Sequence, residues 1–332
     1  MKKTKTGLLT SILLASALTL AANGRLPSDG WNVTDHIALK DFVIQAHRGA
    51  GDLAEEGTLE AFKIGWSLGT IPEADVRATK DGVIVTFHDN NFKRILPNAD
   101  DALKKSSVEK QTWKFIQTLD VGAWKGPEFA GRRVAKMSDI FAYMKGRPGL
   151  SLYIDVKKVD FAKLAAEVHA AGVGERVILA SRNPAHLVEW KKLAPESGTL
   201  LWLPTGEQEI NKLFDELVAS GDIKSITSVQ LHVHPNRLAP NYNKDTDGGL
   251  GWKTIPCTTD PAEPFNHTRA FIAKFGERLR GLGILYEAFA YSKDDSFYAP
   301  LLDLGVAALA GDHPDIAVRE VKAYYARRAA KK

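Results

Sequence analysis

The feature that most narrows what this chain can fold into is a steady alternation: short apolar runs of strand length are followed by segments with helical spacing, from Asp41 to the C-terminus. Strand then helix, repeated, is the pattern of a parallel sheet with helical crossovers. The strand candidates are Asp41 to Arg48, Ile71 to Thr79 with Val83 to His88, Leu150 to Lys157, Arg176 to Arg182, Thr199 to Pro204, Ile226 to His234, Ile284 to Ser292 and Val306 to Asp312. Taken with the second pair as one unit, they number eight. Between them lie helix candidates at Thr58 to Leu68, Asp160 to Ala171, Ala185 to Leu193, Glu207 to Ser220, Thr268 to Leu282 and Asp315 to Ala329. Gly69, Gly172, Gly221 and Gly283 follow four of these, as helix C-caps do. Eight units predict a closed (β/α)8 TIM barrel. A doubly wound open sheet usually offers fewer strands and a Gly-rich nucleotide turn, and neither a GxGxxG nor a Walker turn follows the first strand.

Two segments break the rhythm. Asn90 to Arg133, within a small insertion spanning 90–135 after the second strand, carries Trp113, Phe115, Leu119, Trp124 and Phe129, enough apolar mass for a subdomain. Residues 235–267 are rich in Pro, Asn, Asp and Gly, include Trp252, and read as a long loop over one end of the barrel.

The N-terminus has a different character. Lys2, Lys3 and Lys5 precede an apolar run from Leu8 to Ala22, then small and polar residues up to Pro27, which is the layout of a secretory signal peptide. A spanning helix needs about 20 predominantly apolar residues, more than this run supplies. The expectation is therefore a signal peptide at 1–22, a lead-in at 23–40 and a barrel at 41–332, exported to the periplasm or beyond with no stable membrane span after cleavage. Formal net charge is +4, of which those three lysines supply +3, so the mature chain is close to neutral and carries no nucleic-acid footprint. Arg327, Arg328, Lys331 and Lys332 sit where positive charge complements the end of a terminal helix. Cys257 is the single cysteine of the 332 residues, which excludes an internal disulfide and a thiolate metal site.

In such barrels the chemistry sits at the C-terminal ends of strands. Strand one ends in His47 and Arg48. Strand two carries Glu73 and Asp75, two apart and so on one face of an extended chain, and its continuation ends in His88 and Asp89. Strand three presents Asp155 and Lys157. Three carboxylates facing one space need a counter-charge, and a hard divalent cation with oxygen ligands supplies it: calcium or magnesium, ahead of zinc. The two imidazoles stay free for proton transfer near neutral pH, and Arg48 and Lys157 are cations suited to a phosphate. His232 and His234 alternate, so one face of a strand carries both and could line the pocket, but no matched motif supports a contact role and structural histidines are the simpler reading. His313 reads as part of a turn, with Asp312 there to orient a neighbour.

At these residues the sequence resembles the glycerophosphodiester phosphodiesterase family. The matching segments are AHRGAGDLAEEGTLEAF from Ala46 to Phe62, EADVRATKDGVIVTFHD from Glu73 to Asp89, LDVGAW from Leu119 to Trp124, YIDVK from Tyr153 to Lys157 and, more weakly, LLDLGVAALAGDHP from Leu301 to Pro314. The resemblance implies a (β/α)8 barrel with a small insertion, His47 and His88 as acid and base, and Glu73, Asp75 and Asp155 around a divalent metal, commonly calcium. It further implies Glu56 as a metal or substrate contact, and Arg48 and Lys157 on the phosphate. The substrate implied is a small glycerophosphodiester, hydrolysed to glycerol 3-phosphate and an alcohol. Glu55, Glu56, Gly57 and Thr58 stand where the family has Pro-Glu-Asn-Thr, Asp155 where it usually has Glu, and Phe289 in place of a late Trp in the alcohol pocket. Two other readings share these residues. Phospholipase D toxins look similar in part, and action on intact lipid would favour an apolar rim, for which Trp252 and Phe265 are the candidates. A barrel that captures phosphorylated ligands without turnover is the other.

Overall fold

The computed structural model describes residues 31–240, 242–243 and 256–331. The expected signal peptide, and Trp252 in the long loop, lie outside the described residues.

Nine strands form one sheet: β1 (Val43–Ala46), β2 (Ile71–Ala78), β3 (Ile84–Thr86), β4 (Leu152–Lys158), β5 (Val177–Ser181), β6 (Gly198–Leu203), β7 (Ser228–Val233), β8 (Leu285–Ala290) and β9 (Ala308–Gly311). β1 pairs in parallel with both β9 and β2, so the eight parallel strands close into a barrel. The remaining strand, β3, lies antiparallel on β2, with Val76 opposite Thr86 and Ala78 opposite Ile84. The second unit is thus a hairpin and not one strand running on to His88. Its turn explains the reversal: Gly82 takes φ 78°, and the Thr79 hydroxyl accepts from the Val83 amide at 2.9 Å.

Helices follow the barrel strands in turn: α1 (Leu59–Ser67), α2 (Met137–Met144), α3 (Phe161–Ala171), α4 (Pro184–Leu193), α5 (Glu207–Ser220), α6 (Arg269–Gly281), α7 (Tyr298–Asp303) and α8 (Pro314–Ala329). Thr58, Asp160, Asn183 and Thr268 cap the first turns of α1, α3, α4 and α6 with side-chain oxygens. The sequence pattern does not reveal α2 and α7, which have only 8 and 6 residues, too few turns for a helical period to show. Among the described residues, no helix is long and apolar enough to cross a membrane.

Alternation along each strand sorts the side chains. Ile44, Ala74, Val76, Leu152, Ile154, Leu179, Leu201, Val229, Leu231 and Ala288 point outward into the main core beneath the helices. Their neighbours point inward, where Tyr153, Ile178, Ala180 and Leu200 form a separate small cluster with Val43, Ile71 and Trp202. Burying the outward set removes most of the sheet's apolar surface from water at about 25 cal/mol per Å2. The inward positions nearer the C-terminal mouth carry acidic residues on β2 and β4 and ring side chains on β6, β7 and β8.

The insertion has its own core, in which Val85, Phe87, Phe92, Ile95, Val108, Ile116, Leu119, Val121 and Val134 are buried and Trp113 and Trp124 pack at the edge. Two aromatics expected there are elsewhere: Phe115 is exposed, and Phe129 covers Ala50, Ala54 and Ala61. The lead-in is tied to α8, with Val33 in the main core and the Asn32 amide donating to the Tyr324 hydroxyl at 2.5 Å. In the described parts of the long loop, Asn236 donates to the carbonyls of Asp260 and Glu263 at 2.8 Å, and Phe265 is buried edge-on to Phe297. Phe265 is therefore core and not an apolar rim.

One glycine joins α1 to the first strand's turn. A Cβ on Gly65 would lie 2.1 Å from the Gly49 carbonyl oxygen and 2.9 Å from the Pro72 ring. Alanine is favoured over glycine inside a helix by about 1 kcal/mol, whereas forcing atoms into filled space costs about 1–3 kcal/mol. Gly65→Ala is expected to lower the denaturant midpoint of unfolding. A raised midpoint would show that α1 does not press on Gly49.

Candidate active site

Glu73 and Asp75 on β2 and Asp155 on β4 all face inward, and Asp75 is in register with Asp155. Carboxylate oxygens of the three lie within 4.8 Å of one another, and all three side chains are buried. The Lys157 ammonium, two residues on from Asp155, is 2.6 Å from Asp155 Oδ2 and 3.0 Å from Asp75 Oδ1. Burial, with the Asp75 charge beside it, pushes the Glu73 carboxyl up to about 7. Burial also raises Asp155, against the pull of Lys157. For Asp75 burial is outweighed by Lys157, His88 and Arg48, which hold it below the usual carboxylate range. The cluster divides charge unequally because like charges at this spacing cannot all ionise.

His47 follows β1 directly, its amide donating to the Gly311 carbonyl at 3.1 Å. Its Nδ1 is 2.5 Å from Asp312 Oδ1, its Nε2 is 3.8 Å from Glu73 Oε2, and its ring stands edge-on to Phe289. A carboxylate on Nδ1 fixes that nitrogen as the protonated one and turns Nε2 toward the cavity. Burial would lower this imidazole's pKa, but Asp312 and Glu73 outweigh it and raise it; His47 in turn holds Asp312 down to about 2 against the cost of burial. Arg48 adopts φ 52°, a left-handed conformation uncommon for a residue with a Cβ. The turn aims its amide at Glu73 Oε2, 2.9 Å away.

His88 arrives by the return strand. The Phe87 amide donates to the Asp75 carbonyl at 2.8 Å, which brings His88 beside the acidic cluster. Nδ1 of His88 is 2.7 Å from Asp89 Oδ1, and Nε2 accepts from the Arg48 guanidinium at 2.9 Å. Arg94 spans Asp89 at 2.8 and 2.9 Å and Glu56 at 2.6 and 2.9 Å, while Arg48 reaches Glu56 at 3.0 Å. Burial opposes ionisation of Glu56, yet the two guanidiniums hold its pKa low. Glu56 is grouped with His88 and Asp89, apart from the Glu73, Asp75 and Asp155 trio.

A cavity of about 430 Å3 opens over these groups. Its far wall is aromatic: His232 is stacked between Trp202 at 5.4 Å and Phe289 at 5.1 Å, and Tyr291 lies 4.4 Å from Phe289. Burial and surrounding positive charge lower His232 to about 3, so it is a neutral aromatic at ordinary pH. His234 does not share that wall. β7 ends at Val233, and His234 is fully buried with Nδ1 2.9 Å from the Pro235 carbonyl.

Beneath the carboxylates lies a polar floor that the sequence analysis does not identify. Gln230 donates to Gln45 at 2.7 Å and to Glu287 at 3.1 Å, and the Tyr153 hydroxyl is 3.4 Å from Glu287. Burial pushes the Glu287 carboxyl up to about 8. The signal for this floor is spacing: Gln45, Tyr153, Gln230 and Glu287 each precede a cavity residue by two, at His47, Asp155, His232 and Phe289.

Comparison with known proteins adds an independent line. A model described as the glycerophosphoryl diester phosphodiesterase family matches residues 47–316. A glycerophosphodiester phosphodiesterase of Caldanaerobacter subterraneus subsp. tengcongensis is 32% identical over 167 residues, covering 47% of this chain and 64% of that protein. The chain thus spans slightly less than two thirds of that relative. Among solved structures, glycerophosphodiester phosphodiesterase from Agrobacterium tumefaciens is similar in fold, with a TM-score of 0.59 at 20% identity, over 84% of this chain and 99% of that one. An Oleispira antarctica phosphodiesterase in complex with the product sn-glycerol-3-phosphate gives a TM-score of 0.58 at 20% identity, over 84% and 96% of the two chains.

The floor makes a testable statement about stability. Glu287 keeps its proton to about pH 8 when folded, whereas an ordinary glutamate loses it near 4.5, so the folded state binds the extra proton between those values. Stability therefore falls as pH rises through that window. With chelator present, Glu287→Gln should show a shallower decline of unfolding free energy from pH 4.5 to 8 than the parent chain. Equal slopes in denaturant titrations would mean that Glu287 ionises normally.

Proposed function

Because the chain belongs to the glycerophosphoryl diester phosphodiesterase family, we propose that it is a metal-dependent hydrolase that cleaves glycerophosphodiesters to glycerol 3-phosphate and an alcohol. The observation that carries this reading is the placement of two imidazoles, each backed by a carboxylate, beside a buried trio of acids in one cavity. The product bound by the Oleispira antarctica enzyme of like fold agrees with the substrate class.

The donor set fits a hard dication. Glu73, Asp75 and Asp155 offer only oxygen atoms, within 4.8 Å of one another, and burial opposes ionisation of all three in the metal-free chain. Those residues would hold the ion, calcium before magnesium, with Glu56 tied instead to Arg48 and Arg94. When bound, the ion would offset charge on the phosphoryl oxygens.

The chain's own groups supply the rest. Asp312 orients His47 so that Nε2 can take or give a proton inside the cavity, and Asp89 does the same for His88. One imidazole accepts the proton of the attacking hydroxyl or water and the other protonates the leaving oxygen. Arg48 stands between His88 and Glu56, where its planar fork can turn to the phosphate, and Lys157 adds a point charge. The Phe289 face and its aromatic neighbours would receive the alcohol. The signal-like N-terminus supports export to the periplasm or beyond as the setting.

The deciding assay is glycerophosphocholine turnover with calcium, with magnesium and with chelator. Turnover that needs a divalent cation is expected, and His47→Ala or His88→Ala should each lower kcat by about 10^2 to 10^4 in folded protein. Asp155→Asn should weaken the cation's apparent affinity, since one formal charge leaves the site. Full activity in chelator would remove the metal from the reading. Zero turnover with every cation would leave a barrel that binds its ligand without cleaving it.

A further inference from the structure

Among the described residues, the cations around the cavity are matched to carboxylates, with one exception. Lys157 is shared by Asp75 and Asp155, Arg48 by Glu56 and Asp75, and Arg94 by Glu56 and Asp89. Arg182 also lines the cavity, immediately after β5, and is exposed. Its guanidinium has neither ion pair nor side-chain hydrogen bond among the described residues.

Its position is set by the sheet. Asp155 is in register with Ala180, and Ala180 with Leu200. Two residues further along each chain, Lys157, Arg182 and Trp202 fall on one tier at the mouth. The proton-transfer and acidic groups come from β9, β1, the β2–β3 hairpin and β4, so Arg182 stands one strand past Lys157, at the edge of the remaining wall that continues through Trp202, His232 and Phe289. A charge there can meet groups of the diester that lie along that wall.

We propose that Arg182 forms a subsite for a second anionic group on the substrate, a phosphate monoester carried by the alcohol that lies against the β5–β8 wall. This rests on the proposed diesterase reading and narrows its substrate class to diesters with more than one negative charge. The guanidinium suits the group because its fork can take two phosphate oxygens at once, and an unpaired cation need not give up a carboxylate to do so.

The test compares glycerophosphoglycerol with the same diester phosphorylated on its second glycerol, in the parent chain, in Arg182→Gln and in Arg182→Lys. The ratio of kcat/KM values, phosphorylated over unphosphorylated, is expected to fall about fivefold in Arg182→Gln at low salt, the scale of an exposed charge pair. Arg182→Lys should retain part of the ratio, and about 0.5 M salt should compress the difference between variants. A ratio equal in the parent and Arg182→Gln would overturn the subsite, as would equal losses on both substrates, which would mark a structural role. If neither diester is turned over, the hydrolase reading has failed and calorimetric binding decides this one. Weaker binding of the phosphorylated diester to Arg182→Gln then upholds the subsite, and equal affinity overturns it.

Discussion

Everything at the mouth of this barrel depends on holding three acidic side chains in a small buried volume. Neighbouring carboxylates repel, and burial penalises each charge separately. In the protein alone that penalty is relieved in two ways. Lys157 bridges Asp155 and Asp75, and Glu73 takes up a proton more readily than an ordinary glutamate. Both are responses to one constraint, imposed by two adjacent strands whose register sets Asp75 opposite Asp155. A hard dication would answer the same constraint more completely.

The second organising device is a chain of guanidiniums. Arg48 touches His88 and Glu56, and Arg94 touches Glu56 and Asp89, so a loop residue, the return strand and the insertion are joined by paired charges. These pairs are partly buried, with Glu56 and Asp89 side chains 14% and 19% exposed, which places them between weak surface bridges and costly interior ones. Their value is orientation. His88 is clamped from both ring nitrogens, and His47 is fixed by Asp312 from the last strand. The barrel's first and last strands meet at that contact, so ring closure and imbuing one imidazole with direction are the same event.

Much of this was readable in the amino-acid order. Strand and helix alternation is a local property, and it was enough for the eight-fold closed barrel; the paired spacings Glu73 with Asp75 and Asp155 with Lys157 survive folding because strands preserve a period of two. What the amino-acid order does not carry depends on contacts between distant segments. The Glu287 floor needs β1, β4, β7 and β8 side by side, and no local pattern reports that. Val83 to His88 reads as part of the second unit, and the turn at Gly82 is what makes it an antiparallel strand on β2. His232 and His234 are equivalent by spacing, but the strand ends between them. Phe265 and Phe115 show the converse, since apolarity alone does not say which aromatic is covered.

The return strand has one more implication. His88 belongs by chain continuity to the piece that runs from the Thr79 turn through the insertion, whose core shares Val85 and Phe87 with that strand. One imidazole of the proposed acid and base pair is therefore housed in an appendage and not in the ring itself. A change to that appendage keeps the imidazole in place only if its root stays intact, and grafting it onto another barrel would transplant an imidazole along with the surface it carries.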